Sequence, residues 1–233
     1  LTKKKKKKSF IRTALAWLLW FFLIAVILSM FQVALVRFMN PPVTLDALWK
    51  GVLRLWTVQP DSRTSSWRGL DEISPHMRRA VLAGEDQRFL AHHGFDLTEM
   101  GQAIKEIVSG KGVRGASTIT MQVARTVFLW PERTWKRKSI EAYYTLLIEL
   151  FWSKKRILEV YLNTVDWGNR ITGIEEASTK YFHVSPMDIS MPQAAFLAAI
   201  LPSPHRWSPT KPGPEVLRRQ KRILRDMDKM PLL

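Results

Sequence analysis

A run of 23 residues without a single charge, Ala14 to Val36 (ALAWLLWFFLIAVILSMFQVALV), constrains this chain more than any other feature. At about 1.5 Å per residue, a helix of that length reaches roughly 34 Å, enough to cross a hydrocarbon core of about 30 Å with some tilt. The run is apolar on every face, unlike the one-sided helix of a soluble core. It is longer than the apolar part of a signal peptide, and no small-x-small cleavage site precedes Arg37. Lys3 to Lys8 and Arg12 stand before it. The positive-inside rule puts those cations in the cytoplasm and the chain beyond about residue 40 on the other side. Trp17 and Trp20 are suited to the headgroup layer near the cytoplasmic end.

The first forty residues hold eight basic side chains and no acid, out of a net charge of +16. The remainder is also basic, so it favours anionic partners such as phosphates and lipid headgroups. Nucleic acid would account for the charge but not for the outward topology, and is not expected. There is no cysteine, which removes disulfides, thiolate metal sites, iron–sulfur clusters and a cysteine nucleophile.

The expected organisation is a basic tail (1–13), a transmembrane helix (14–36), a membrane-proximal segment (37–72) and one mostly α domain (73–233). Apolar residues recur at helical spacing from Leu45 to Trp56, as on an amphipathic helix at the outer leaflet or an ordinary packed helix. Residues 57–72 read as a connection. Ser74-Pro75 opens a helix, and Asp96-x-x-Glu99 another. Three glycines between Ser109 and Gly115 make a loop. Ser117 can cap a helix through about Leu129, and Thr134 and Ser153 can cap the next two. Thr172-x-x-Glu175 and Ser190-x-x-Gln193 read as capping boxes, and a basic helix closes the chain from about Glu215 to Lys229. No alternating strand pattern stands out.

Three segments could carry chemistry. Glu85-Asp86-Gln-Arg-Phe89-Leu-Ala-His92-His93-Gly94 ends an apolar helical run. Were the helix to continue, Glu85, Phe89 and His92 would share a face. A carboxylate beside apolar groups has a raised pKa and can move protons; the plainer alternative is a solvated helix end. Adjacent histidines splay apart and no third ligand is evident, so no metal site is expected. Ser117-Thr118-Ile-Thr-Met-Gln122 follows the glycine loop and could form an anion pocket at a helix start, though without the Lys-Ser/Thr of a P-loop. Arg133, Lys136, Arg137 and Lys138 crowd one turn, with Glu141 four residues after Arg137. That is either an exposed ion pair or a partly buried carboxylate among cations, suited to a pyrophosphate.

Together these blocks resemble the peptidoglycan glycosyltransferases of glycosyltransferase family 51. Glu85-Asp86-x-x-Phe89-x-x-His92-x-Gly94 is similar to the first signature and Gly115-x-Ser117-Thr118-Ile119-Thr120-x-Gln122 to the second. Arg137-Lys138-x-x-Glu141 matches the third, and Lys154-x-x-Ile157-Leu158-x-x-Tyr161-Leu162-Asn163 the fourth. Arg219-x-x-x-Ile223-Leu224 is a looser fifth. The usual Gln-Gln pair is Met121-Gln122 here, and the common lysine after it is Arg125. One span followed by this domain alone most resembles the monofunctional members, with no room for a transpeptidase domain.

The resemblance implies an α-helical, lysozyme-like, two-lobed domain that polymerises lipid II into β-1,4-linked glycan and releases undecaprenyl diphosphate. Glu85 would be the general base and Glu141 the second catalytic carboxylate. Asp86, Phe89, His92, Ser117, Thr118, Gln122, Arg125, Arg137 and Lys138 would line the substrate site. No cofactor is required; a divalent cation, Mg²⁺ or Mn²⁺, could accompany the pyrophosphate. The partners implied are lipid II, the growing strand, membrane lipid and other wall-synthesis or division proteins. The place implied is the bacterial inner membrane, with the domain periplasmic. Two rivals stay open: a lytic, glycan-cleaving enzyme with lysozyme-like helices, and a non-enzymatic membrane scaffold.

Overall fold

The computed structural model describes residues 2–41, 67–110, 115–132, 134–169 and 171–233. The periodic stretch 45–56, most of the connection 57–72, the centre of the glycine loop (111–114) and Arg133 lie outside the described residues. The chain divides into two units after Met39.

The first unit is one helix, α1 (Thr2–Phe38), ended by Asn40-Pro41. Its part from Arg12 to Phe38 is long and apolar enough to cross a membrane. Trp17, Trp20, Phe21 and Phe31 are exposed along it, as lipid-facing side chains must be.

Among its described residues, the second unit is helical apart from one small hairpin. Its helices are α2 (Pro75–Glu85), α3 (Leu97–Val108), α4 (Ile119–Phe128), α5 (Trp135–Phe151), α6 (Lys154–Thr164), α7 (Ile174–Phe182), α8 (Met191–Ile200) and α9 (Pro214–Met227). Between α6 and α7, β1 (Asp166–Gly168) pairs antiparallel with β2 (Ile171–Thr172). Strands of three and two residues are too short to leave an alternating pattern, so the sequence offers no strand signal there.

Most starts follow capping chemistry. Ser74, Asp96, Thr134 and Ser153 each accept a backbone N–H of their helix's first turn. Ser190 and Gln193 form the expected capping box. Two expectations need correction. The cap of α4 is Thr118 rather than Ser117, its hydroxyl accepting from the N–H of Met121 at 3.2 Å. The cap of α7 is Gly173 rather than Thr172, which lies in β2. Gly173 adopts φ 79°, a conformation that favours glycine and lets the chain turn out of the hairpin.

The helices pack in two groups. In one, α2, α8 and α9 touch one another; in the other, α4 packs on α5 and α6. The alanines of α8 (Ala194, Ala195, Ala198, Ala199) are fully buried and let α2 approach closely. Gly84 belongs to the same contact, since a Cβ there would stand 3.2 Å from Ile223 of α9. Trp67 and Arg68, ahead of α2, are fastened to α6 and α7. The Arg68 N–H donates to Asn163 Oδ1 at 2.9 Å, and Asn163 Nδ2 donates back to the Arg68 carbonyl at 2.8 Å. Trp67 Nε1 donates to Glu159, and Arg68 Nε to Glu175 at 2.7 Å.

Candidate active site

Glu85 is the last residue of α2, and Asp86 is its C-cap with φ −159°. The helix does not continue, so Glu85, Phe89 and His92 do not share a helical face. The turn sends neighbouring carboxylates in different directions. Asp86 goes inward: its Oδ1 lies 2.9 Å from His92 Nε2, and its Oδ2 accepts the Ile119 N–H, at the start of α4, at 3.0 Å. It ties the end of one helix to the beginning of another, and it is not a solvated helix end.

Glu85 goes toward the seam between the two helix groups. Gln122 of α4 donates from Nε2 to Glu85 Oε2 at 3.0 Å. A guanidinium nitrogen of Arg219, on α9, lies 3.5 Å from Oε1. The Tyr161 hydroxyl, on α6, donates to Gln122 Oε1 at 3.3 Å. The Glu85 side chain is 14 % exposed, enough to be reached but poorly hydrated. Burial pushes its carboxyl above the ordinary glutamate value, with the Asp86 charge adding to the effect. The Gln122 hydrogen bond and the charges of Arg219 and Arg125 pull it partly back. Burial lowers the Arg219 guanidinium from its usual value, with Glu85 opposing.

The motif glycine, Gly94, has a steric reason. Its φ is +90°, and a Cβ would collide with Thr145 of α5 at 2.7 Å. Its carbonyl accepts the Thr118 hydroxyl at 2.6 Å. Phe89 is buried edge-on to His92, with Lys154 Nζ 4.4 Å from its ring centre. Lys154 also pairs with Glu149, which accepts the Thr120 hydroxyl. Asp86, Phe89, His92 and Thr118 therefore face protein, whereas Ser117, Gln122, Arg125 and Lys138 keep part of their surface open.

Asp86, His92 and Asp96 bring ligand-type atoms within 4.8 Å of one another, a grouping the sequence spacing conceals. Both Asp86 oxygens have protein partners, and Asp96 Oδ1 accepts the N–H groups of Thr98 and Glu99 at the start of α3. The grouping is held by these bonds, and we assign no ion to it.

The basic turn at the start of α5 differs from an exposed ion pair. Glu141 is 0 % exposed and Arg137 6 %. Arg137 donates to Glu141 Oε2 at 2.7 Å, and Lys138 donates to its Oε1. Lys138 alone of the three reaches solvent appreciably, with 40 % of its side chain exposed.

Tyr161 and Arg219 are functional candidates missed from the sequence alone. Both stood in recognised blocks, but only the packing of α6 and α9 brings them toward Glu85.

Residues 53–228 match the family profile described as Transglycosylase. A biosynthetic peptidoglycan transglycosylase of Pseudomonas aeruginosa is 42 % identical over 94 % of this chain and 93 % of its own length. One from Caulobacter vibrioides is 44 % identical over 88 % and 87 %. One from Chromohalobacter salexigens is 47 % identical over 72 % of each. With a carboxylate at a helical seam, amide and guanidinium partners around it, and a family profile spanning most of the sequence, this chain belongs to the transglycosylase family, the peptidoglycan glycosyltransferases that its motifs resemble.

Proposed function

We propose that this enzyme polymerises lipid II into β-1,4-linked glycan at the outer face of the bacterial inner membrane, with Glu85 as general base. The observation that carries this reading is the Glu85 environment: a poorly hydrated carboxylate held by an amide and faced by Arg219 and Arg125. Glu85 takes the proton from the 4-hydroxyl of the acceptor GlcNAc. The oxygen forms a bond to C1 of the donor MurNAc, the C1–phosphate oxygen bond breaks, and its electron pair leaves with the lipid pyrophosphate. Displacement from the far side converts the α-linked donor to a β-linked product.

Glu141 acts with Arg137, Lys138 and Arg125 to organise and neutralise the leaving pyrophosphate. Arg137 is fixed by Glu141, while Lys138 and Arg125 offer cationic surface. Ser117 and Gln122 line the donor side. Asp86, Phe89, His92 and Thr118 support the cleft from within. The chemistry as written uses side chains alone; the pyrophosphate itself could recruit Mg²⁺ or Mn²⁺.

The N-terminal helix suits a substrate whose tail stays in the bilayer, because enzyme and lipid then meet in two dimensions. With the lysines inside, the domain is periplasmic, and protease added to spheroplasts should digest residues beyond about 40. Protection of the domain in intact spheroplasts would reverse the orientation. Incubating the detergent-solubilised full chain with labelled lipid II, or with finished glycan, tests the reaction. Polymer from lipid II supports this reading; shortening of finished glycan favours a lytic enzyme, and neither favours a scaffold.

A further inference from the structure

Tyr161 is buried, and a buried phenol ordinarily finds a hydrogen-bond partner for its hydroxyl. Its hydroxyl donates to Gln122 Oε1 at 3.3 Å, and the other end of that amide donates to Glu85 at 3.0 Å. The three groups form a line from phenol to carboxamide to carboxylate. A carboxamide has a donor end and an acceptor end, and only the donor end stabilises a carboxylate. Turned about, its oxygen would face Glu85 and favour the protonated acid.

We propose that Tyr161 is a positioning residue for Glu85: its hydroxyl holds the Gln122 carboxamide with the NH₂ toward the carboxylate, which keeps the base ready to accept a proton. The inference rests on Glu85 being the base. Burial pushes the phenol well above its ordinary value, with Glu85 adding to the effect, so Tyr161 stays a donor throughout the working range. The line is polarised in one direction, each bond strengthening the next. The other groups facing Glu85 are Arg219 from α9, Arg125 from α4 and Asp86 from the turn after α2; none of them orients the amide.

The test is the pH profile of kcat for the full-length protein in detergent with labelled lipid II. Tyr161→Phe removes one oxygen. It should move the acidic limb upward by roughly half to one pH, so that the loss is about three- to tenfold on the acidic side and narrows on the alkaline side. Gln122→Leu should move the limb in the same direction, and adding Tyr161→Phe to it should move it no further. Site-specific 3-fluorotyrosine at position 161 keeps the shape and strengthens the donor, so it should move the limb downward and serves if Tyr161→Phe folds poorly. A uniform loss at every pH, an unmoved limb or additive shifts would overturn the proposal and leave Tyr161 a packing residue. Glu85→Gln separates the two readings. If it turns over like the wild type, Glu85 is not the base. If it is inactive while the Tyr161→Phe limb stays put, only the positioning role fails.

Discussion

Two glutamates of the candidate site, Glu141 fully buried and Glu85 partly so, are held in opposite ways. Glu141 is neutralised by its own helix, with Arg137 and Lys138 one turn before it on α5. Glu85 is met by side chains from three other helices, Gln122 and Arg125 of α4, Arg219 of α9 and, through Gln122, Tyr161 of α6. The first is close and fully ion-paired. The second has an amide at hydrogen-bond distance and a cation, Arg219, at 3.5 Å. A tight ion pair would stop a carboxylate from taking a proton, so the looser arrangement suits a base and the tighter one a fixed charge. The difference supports the separate roles proposed for these two identical side chains.

The sharpest way to break that contrast is Glu85→Gln. It keeps shape and removes the base, and a positioned base contributes about 10²–10⁴-fold. Polymerisation of lipid II should fall by at least about that factor, while a lipid II analogue still binds. Wild-type turnover would sink the base assignment.

Glu141→Gln should behave differently, because it leaves a buried guanidinium without its charge partner. Losing one member of a buried pair typically costs about 3–5 kcal/mol. Denaturant melts should show a loss of that order together with weak polymerisation; Arg137→Ala should weaken polymerisation likewise, and Arg137→Lys should keep only part of the activity that Arg137→Ala loses, since an ammonium lacks the guanidinium fork. If Glu85→Gln destabilised as much as Glu141→Gln, the two sites would not differ in the way described.

The pH dependence gives a smaller but directional signal. Protonated Glu85 cannot act as base, so activity should fall as pH drops through a midpoint above the ordinary glutamate value of 4.5. Arg219→Gln removes a cation that favours the charged form, and its acidic limb should lie higher still. Stability has the opposite sense. A carboxyl with a raised folded pKa binds its proton more tightly in the native state, so its contribution is lost as pH rises from the unfolded value through the folded one. Glu85→Gln should remove that part of the pH dependence, read as the gap between wild-type and variant melts. The smallest effect is expected of Lys138→Met: its side chain is 40 % exposed, and stability should change by less than about 1 kcal/mol while donor affinity drops.

The contrast also explains what could be read from the sequence. Arg137 and Glu141 are i and i+4 on one helix, so their pairing was legible from spacing; their burial was not, because it depends on what packs over α5. The caps at Ser74, Asp96, Thr134 and Ser153 were legible for the same local reason. Glu85 was recognisable only by motif, and the periodicity extrapolated past it misled, since Asp86 leaves the helix to reach His92 and Ile119. Arg219 lies 134 positions from Glu85 along the chain, and no local pattern links them. The β1–β2 hairpin and the Gly173 cap escaped because strands of two or three residues and a single positive-φ glycine leave almost no periodic trace.

The two-way bond between Asn163 and the Arg68 backbone has a mechanical consequence. A pull reaching Trp67 and Arg68 along the chain comes to this join before α2. There it is shared among Asn163, Glu159 and Glu175 and passed sideways into α6 and α7 before it can run along the chain to α2. The fourth motif thus works as a strain relief, like the grip where a cable enters its housing, and the carboxylate at the tip of α2 is left unloaded.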